Sequence, residues 1–124
     1  MIDIIVLTLL LALIQIWILP ALLNLKNTAY LLSNRDEPMP GSITGERVKR
    51  ASENLQESLP AFLALALLAI HLGLDLVSVA SIWLALRGAY LALYAFGVTH
   101  IRSVVWIGSV ACLINMALAI IGVL

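Results

Sequence analysis

Uncharged, apolar stretches follow one another along almost the whole chain. Residues 4–23, 58–74, 76–86, 88–101 and 103–124 contain no Asp, Glu, Lys or Arg. A helix needs about 20 apolar residues to cross the hydrocarbon core of a bilayer. The runs therefore predict four spanning helices, at about 3–24, 45–74, 77–98 and 102–123. The second is a span over 55–74 with a polar N-terminal extension, and the third contains Arg87. No run alternates with period two, which excludes a transmembrane barrel. The first run carries Asp3, has no basic leader and is followed by no A-x-A site, so it reads as a span and not as a signal peptide.

Polar and turn-forming residues mark the connections. The first, about 25–46, is the only long one and contains the turn formers Ser33 to Gly41, with Pro38 and Pro40 among them. Ser42 or Thr44 is the expected N-cap of the second helix. Leu72-Gly73-Leu74-Asp75 predicts a tight turn, with Gly73 ending one helix and Asp75 or Ser78 capping the next. A third connection is expected near Gly97-Val98-Thr99-His100. Basic residues fix the expected orientation. Lys26, Arg35, Arg47, Lys49, Arg50 and Arg102 lie on one side, whereas the other side has Asp3 and Asp75. Both termini should therefore face away from the cytoplasm.

Composition narrows the class further. The 124 residues suit one domain, 1–124, and they are 63% hydrophobic and 11% charged, with mean hydropathy +1.09. Soluble domains are about 25% charged, and one this small has no interior large enough for so much apolar side chain. Seven basic residues balance seven acidic ones, so no positive field attracts nucleic acid. The lone Cys112 forms no internal disulfide, and no metal site is expected. An all-α, multi-pass membrane protein with the bilayer as its partner remains.

Two polar stripes interrupt the apolar helices. Arg47, Arg50, Asn54 and Glu57 are spaced 3, 4 and 3, which at ~100° per residue places them within ~80° of arc. Read plainly, this is a charged helix end with internal ion pairs. Pro60, where a kink is expected, and Glu57 at the membrane edge argue for more. Arg87, Tyr90 and Tyr94 share a second face, with Arg87 near mid-membrane. There an arginine serves either function or an ion pair between helices. Counted from Asp75 at ~1.5 Å per residue, Glu57 lies ~27 Å away, Tyr94 ~28 Å, Tyr90 ~22 Å and Arg87 ~18 Å. Arg50 and Arg102 fall ~37–40 Å away by the same count. If the stripes face each other, within or between subunits, they form a pocket for a small anionic or zwitterionic ligand reached from the cytoplasm.

The segment from Arg47 to Phe62 resembles the signature R-x-x-R-A-x-x-N-x-x-E-x-x-P-x-F of the membrane-associated proteins in eicosanoid and glutathione metabolism, the MAPEG superfamily. Arg87, Tyr90 and Tyr94 are similar to its third-helix pattern. Length, four helices, one long connection and one tight one agree as well. The resemblance implies a left-handed four-helix bundle assembled as a homotrimer; the short loops and the lack of a targeting segment suggest a bacterial inner membrane. The resemblance also implies glutathione as co-substrate, bound between subunits near the cytoplasmic face, and a lipophilic electrophile as second substrate. Arg47, Arg50, Asn54, Glu57, Arg87, Tyr90 and Tyr94 would bind glutathione, and Arg102 with Tyr94 would serve the chemical step.

The chain also departs from the family pattern. Ser58 stands where many family enzymes have tyrosine. The family's leukotriene synthase has its thiolate-activating arginine seven residues after the second tyrosine. Here that residue is Ile101, with Arg102 one step on, ~100° around a continuous helix unless the chain breaks at Gly97. Where that enzyme has a basic residue late in helix one, this chain has Ala29 and Tyr30, and the nearest basic residue is Lys26. Two functions stay open: a glutathione-dependent transferase or peroxidase, and a non-catalytic protein of the same fold binding a lipid or a partner. A proton-coupled drug exporter needs a carboxylate midway along helix one, where this chain has Gln15. Thr8 and Gln15 read as bundle-facing glue, Pro20 as a bend, His71 and His100 as interfacial or loop residues, and Ser109, Cys112 and Asn115 as packing residues.

Overall fold

The computed structural model describes residues 1–25, 32–34 and 43–122. Its four spans are Ile2–Leu23, Ile43–Leu72, Val77–Ala95 and His100–Ile120. The first is composite: α1 (Ile2–Leu13), a π-helical turn (Ile14–Ile18) and α2 (Leu19–Leu23). The others are α3 (Ile43–Leu72), α4 (Val77–Ala95) and α5 (His100–Ile120). The apolar runs thus mark the helices to within a few residues. Lys26, Ala29, Tyr30, the turn-forming residues from Arg35 to Gly41 and the capping candidate Ser42 lie outside the described residues. Thr44 falls inside α3.

The π-helical turn has a local cause in Pro20. Proline has no N–H, and its ring crowds the carbonyl four residues back. The Leu19 N–H reaches five residues back, to the Ile14 carbonyl. The Gln15 carbonyl is then left with Leu19, already engaged, or Pro20, which has nothing to donate. The Ser52 hydroxyl of α3 fills the gap, lying 2.8 Å from the Gln15 carbonyl and 2.8 Å from that of Val48. The sequence predicts a bend at Pro20; the structure answers with a widened turn and a donor from the next span.

Packing follows the small-residue pattern of membrane helices. Along α3, Ala51, Leu55, Phe62, Ala66 and Ala69 are buried at heptad-like spacing, and α3 continues across Pro60. Phe62 stacks on Trp83 of α4 with centroids 4.0 Å apart and planes 5° from parallel. Leu55, Phe62 and Trp83 join Ala12, Ala66, Ala80 and Met116 in one core cluster drawn from all four spans. Thr8, Gln15 and Ser109 are buried in the bundle as expected. The Thr8 and Ser109 hydroxyls, however, donate to the Ile4 and Trp106 carbonyls of their own helices, and the Gln15 side-chain amide has no partner among the described residues, so their part is packing and not an interhelical hydrogen bond. The outer surface is apolar, with Trp17 70% and Leu67 58% exposed, which suits hydrocarbon as solvent.

Both described turns use glycine in the left-handed region. At Gly73 (φ 67°), Leu74 N–H donates to the Ala69 carbonyl and Gly73 N–H to that of Ile70. This is the Schellman closure the sequence predicts. Asp75 accepts from the Val77 N–H at 3.2 Å, so Asp75 and not Ser78 serves the next helix start. At Gly97 (φ 77°) the same closure recurs, with Val98 N–H on Leu93 and Gly97 N–H on Tyr94.

Candidate functional site

The reversal at Gly97 builds the site. It ends α4 one residue after Tyr94 and starts α5 two residues before Arg102. A straight count of rise carries Arg102 ~12 Å beyond Tyr94. That expectation is corrected: the chain turns back at 97–99, so Arg102 returns to the depth of Tyr94. Its guanidinium carbon lies 4.2 Å from the centre of the Tyr94 ring. The register gap at Ile101 closes in the same way, because two helices meet at the turn where one continuous helix is implied by counting. Ile101 itself is exposed.

A pocket of about 320 Å³ lies here, lined by Asn54 of α3, Tyr90 and Tyr94 of α4, and Arg102, Ser103, Trp106 and Ile107 of α5. This volume is at the lower end of the range for small-molecule sites. Tyr90 and Tyr94 meet edge to face, centroids 5.6 Å apart at 64°. Arg87 lies behind them with its guanidinium carbon 4.8 Å from the Tyr90 ring. Two phenols in contact are thus bracketed by two guanidiniums, each over an aromatic face that favours a cation. The Asn54 Oδ1 is buried and has no hydrogen-bond partner. A buried acceptor of this kind is costly to leave unpaired.

The remaining expected site residues stand elsewhere. Arg87 is 2% exposed and does not line the pocket; its Nε and Nη2 are buried without partners, as is the Trp83 Nε1 one turn away. Arg47 is half-buried with its guanidinium against Gly97. Arg50 and Glu57 are exposed on the flank of the bundle beside Asn54. Ser58 turns its hydroxyl back to the Leu55 carbonyl of its own helix, at 3.2 Å. Sequence reasoning missed Ser103, Trp106 and Ile107. Helical spacing was the signal: these positions are one, four and five residues after Arg102 and share its face of α5.

A family model described as the MAPEG family matches residues 4–122. Comparison with curated proteins and with solved structures found no match to the chain. The match takes in all four spans, the polar stripe of α3 and every residue of the pocket, and on that extent the chain belongs to the MAPEG family.

Proposed function

We propose that the protein is a glutathione-dependent transferase or peroxidase acting on lipophilic electrophiles. The observation that carries the reading is the stacking of Arg102 on Tyr94 inside a pocket also lined by Asn54 and Tyr90. Glutathione has carboxylates for arginine and amide groups that can meet the polar side chains of the lining, Asn54, Tyr90, Tyr94 and Ser103. Bound there, it supplies the thiol nucleophile. Arg102 places a fixed positive charge at the pocket wall, which favours the anionic form of a thiol. Tyr94 holds that charge in place and offers a phenol beside it. Trp106 and Ile107 give the pocket an apolar side, and they are 42% and 59% exposed toward the bilayer, from which a lipophilic partner enters.

Arg50 and Glu57 complete the cradle when a second subunit covers the exposed flank of α3. A carboxylate left facing hydrocarbon is costly, which supports a homotrimer with the site at its interfaces. The basic connections support a cytoplasmic face for the pocket, with both termini on the far side of a bacterial inner membrane. One observation favours a non-catalytic lipid- or partner-binding role: Ser58 keeps its hydroxyl on its own helix, so it offers a thiol nothing. The discriminating experiment is calorimetric titration of the purified protein with glutathione, followed by ultraviolet absorbance of the thiolate on mixing. Binding with a thiolate signal supports the enzyme. Binding without one, and without turnover of any electrophile, supports the non-catalytic role.

A further inference from the structure

We infer that Arg47 is a positioning residue: its guanidinium, laid flat against Gly97, holds the α4–α5 turn so that Arg102 stays on Tyr94. The effect on chemistry rests on the glutathione reading above; the contact itself does not.

A Cβ built on Gly97 would lie 2.8 Å from Arg47 Nη1, 2.9 Å from Cζ and 3.0 Å from Nη2. Three near-equal distances to the planar end of one side chain mean that the plane faces the glycine. Any side chain at 97 would displace it. The position is doubly restricted, because φ is +77°, a region that L side chains rarely adopt. The guanidinium also sits at the C-terminal end of α4, where the partial charge of the helix is negative and a cation is favoured. Arginine suits the place better than lysine, since a planar, delocalised cation can lie face-on against backbone.

The contact joins the pieces of the pocket. Arg47 is two helical turns before Asn54 on α3. Gly97 lies three residues after Tyr94 and five before Arg102. One side chain thus ties α3 to the turn that brings α4 and α5 together, and it does so without lining the pocket. The family signature places Arg47 among ligand residues, whereas its location gives it a mechanical task.

The test uses the full chain in detergent, with variants Arg47→Ala, Arg47→Lys, Gly97→Ala and the double Arg47→Ala/Gly97→Ala. Thermal midpoints form a cycle that needs no ligand. Gly97→Ala should lower the midpoint more when Arg47 is present than when it is Ala, because only then do side chain and guanidinium collide. Additive changes overturn the contact. Arg47→Ala should leave the Kd for glutathione within about twofold and lower kcat and the thiolate signal by roughly 10- to 100-fold, the scale of a misplaced catalytic group. Arg47→Lys should not restore kcat. A tenfold loss of affinity with kcat unchanged makes Arg47 a ligand residue and overturns the inference. If the wild type binds no glutathione, the proposed function fails and the catalytic half of this role fails with it, while the cycle still decides the contact.

Discussion

Arg102 shows what one residue gains from a reversal of the chain. Its guanidinium, over Tyr94, is the pocket's only charged group among the described lining residues. Arg102→Ala should leave glutathione affinity close to wild type and remove the thiolate absorbance and turnover. Arg50→Ala should do the opposite, weakening binding about 10- to 150-fold, the worth of a charge-assisted bidentate contact. Titration calorimetry and stopped-flow absorbance on the two variants separate these roles; full activity in Arg102→Ala would assign thiolate stabilisation to Tyr94 or another donor. Asn54, Tyr90 and Tyr94 were legible in the sequence because their depths can be counted from one turn along unbroken helices. Arg102 was named for the chemical step from the resemblance, but helical counting could not place it, because its position depends on φ at Gly97 and no periodicity carries across a residue with a left-handed backbone. Arg87 was read as a ligand residue from the face it shares with Tyr90 and Tyr94 and from the family's third-helix pattern, yet a shared face does not say that it reaches the cavity rather than packing behind Tyr90.

Among the elements, the first span is the one whose interior departs from regular α-helix. Its π-helical turn, the missing N–H of Pro20 and the Ser52 hydroxyl form one arrangement, so substitutions in it should be coupled. Ser52→Ala should destabilise the protein by about 1–3 kcal/mol, the cost of a buried acceptor left unpaired. Adding Pro20→Ala should recover much of that loss, because residue 20 then has an N–H within reach of Gln15 O. Thermal unfolding in detergent of the two single variants and the double variant reads this directly, and strictly additive effects would contradict it. The sequence signalled a disturbance at Pro20 but not its form. Hydropathy is blind to a single extra residue in a helical turn when most of its neighbours are Ile, Leu or Trp. The turn at Gly73 and Asp75 was legible because glycine and aspartate there meet local needs, a positive φ and an N–H acceptor, which require no knowledge of the other helices.

For the molecule as a whole, the apolar exterior and the exposed Arg50 and Glu57 set opposite demands on one surface. Hydrocarbon suits the first and a neighbouring subunit suits the second. Native mass spectrometry in mild detergent should show a trimer, and a monomer or dimer would contradict the shared site. Orientation is open to a labelling test. Cysteine placed at Glu46 should react with a membrane-impermeant reagent from the cytoplasmic side, and cysteine at Ser78 from the other. The reverse pattern would invert the topology. The four spans were legible from charge-free runs alone, since the bilayer demands length and apolarity before any tertiary contact. Which faces pack inward was less so: hydrophobic residues lie all round each helix, and only the small and polar positions, such as Thr8, Ala51 and Ser109, distinguish the inner face.

The bond from Ser52 to the Gln15 carbonyl also bears on the order of biosynthesis. Span one is made first and enters the bilayer with an interrupted backbone ladder, and an unsatisfied carbonyl in hydrocarbon costs several kcal/mol. Its missing donor is carried by the following span and by no residue of its own. The first span therefore gains by staying beside the insertion machinery, or near water, until the second is made, and by leaving with it as a hairpin. One serine hydroxyl on the second span thus links the release of one membrane span to the synthesis of the next.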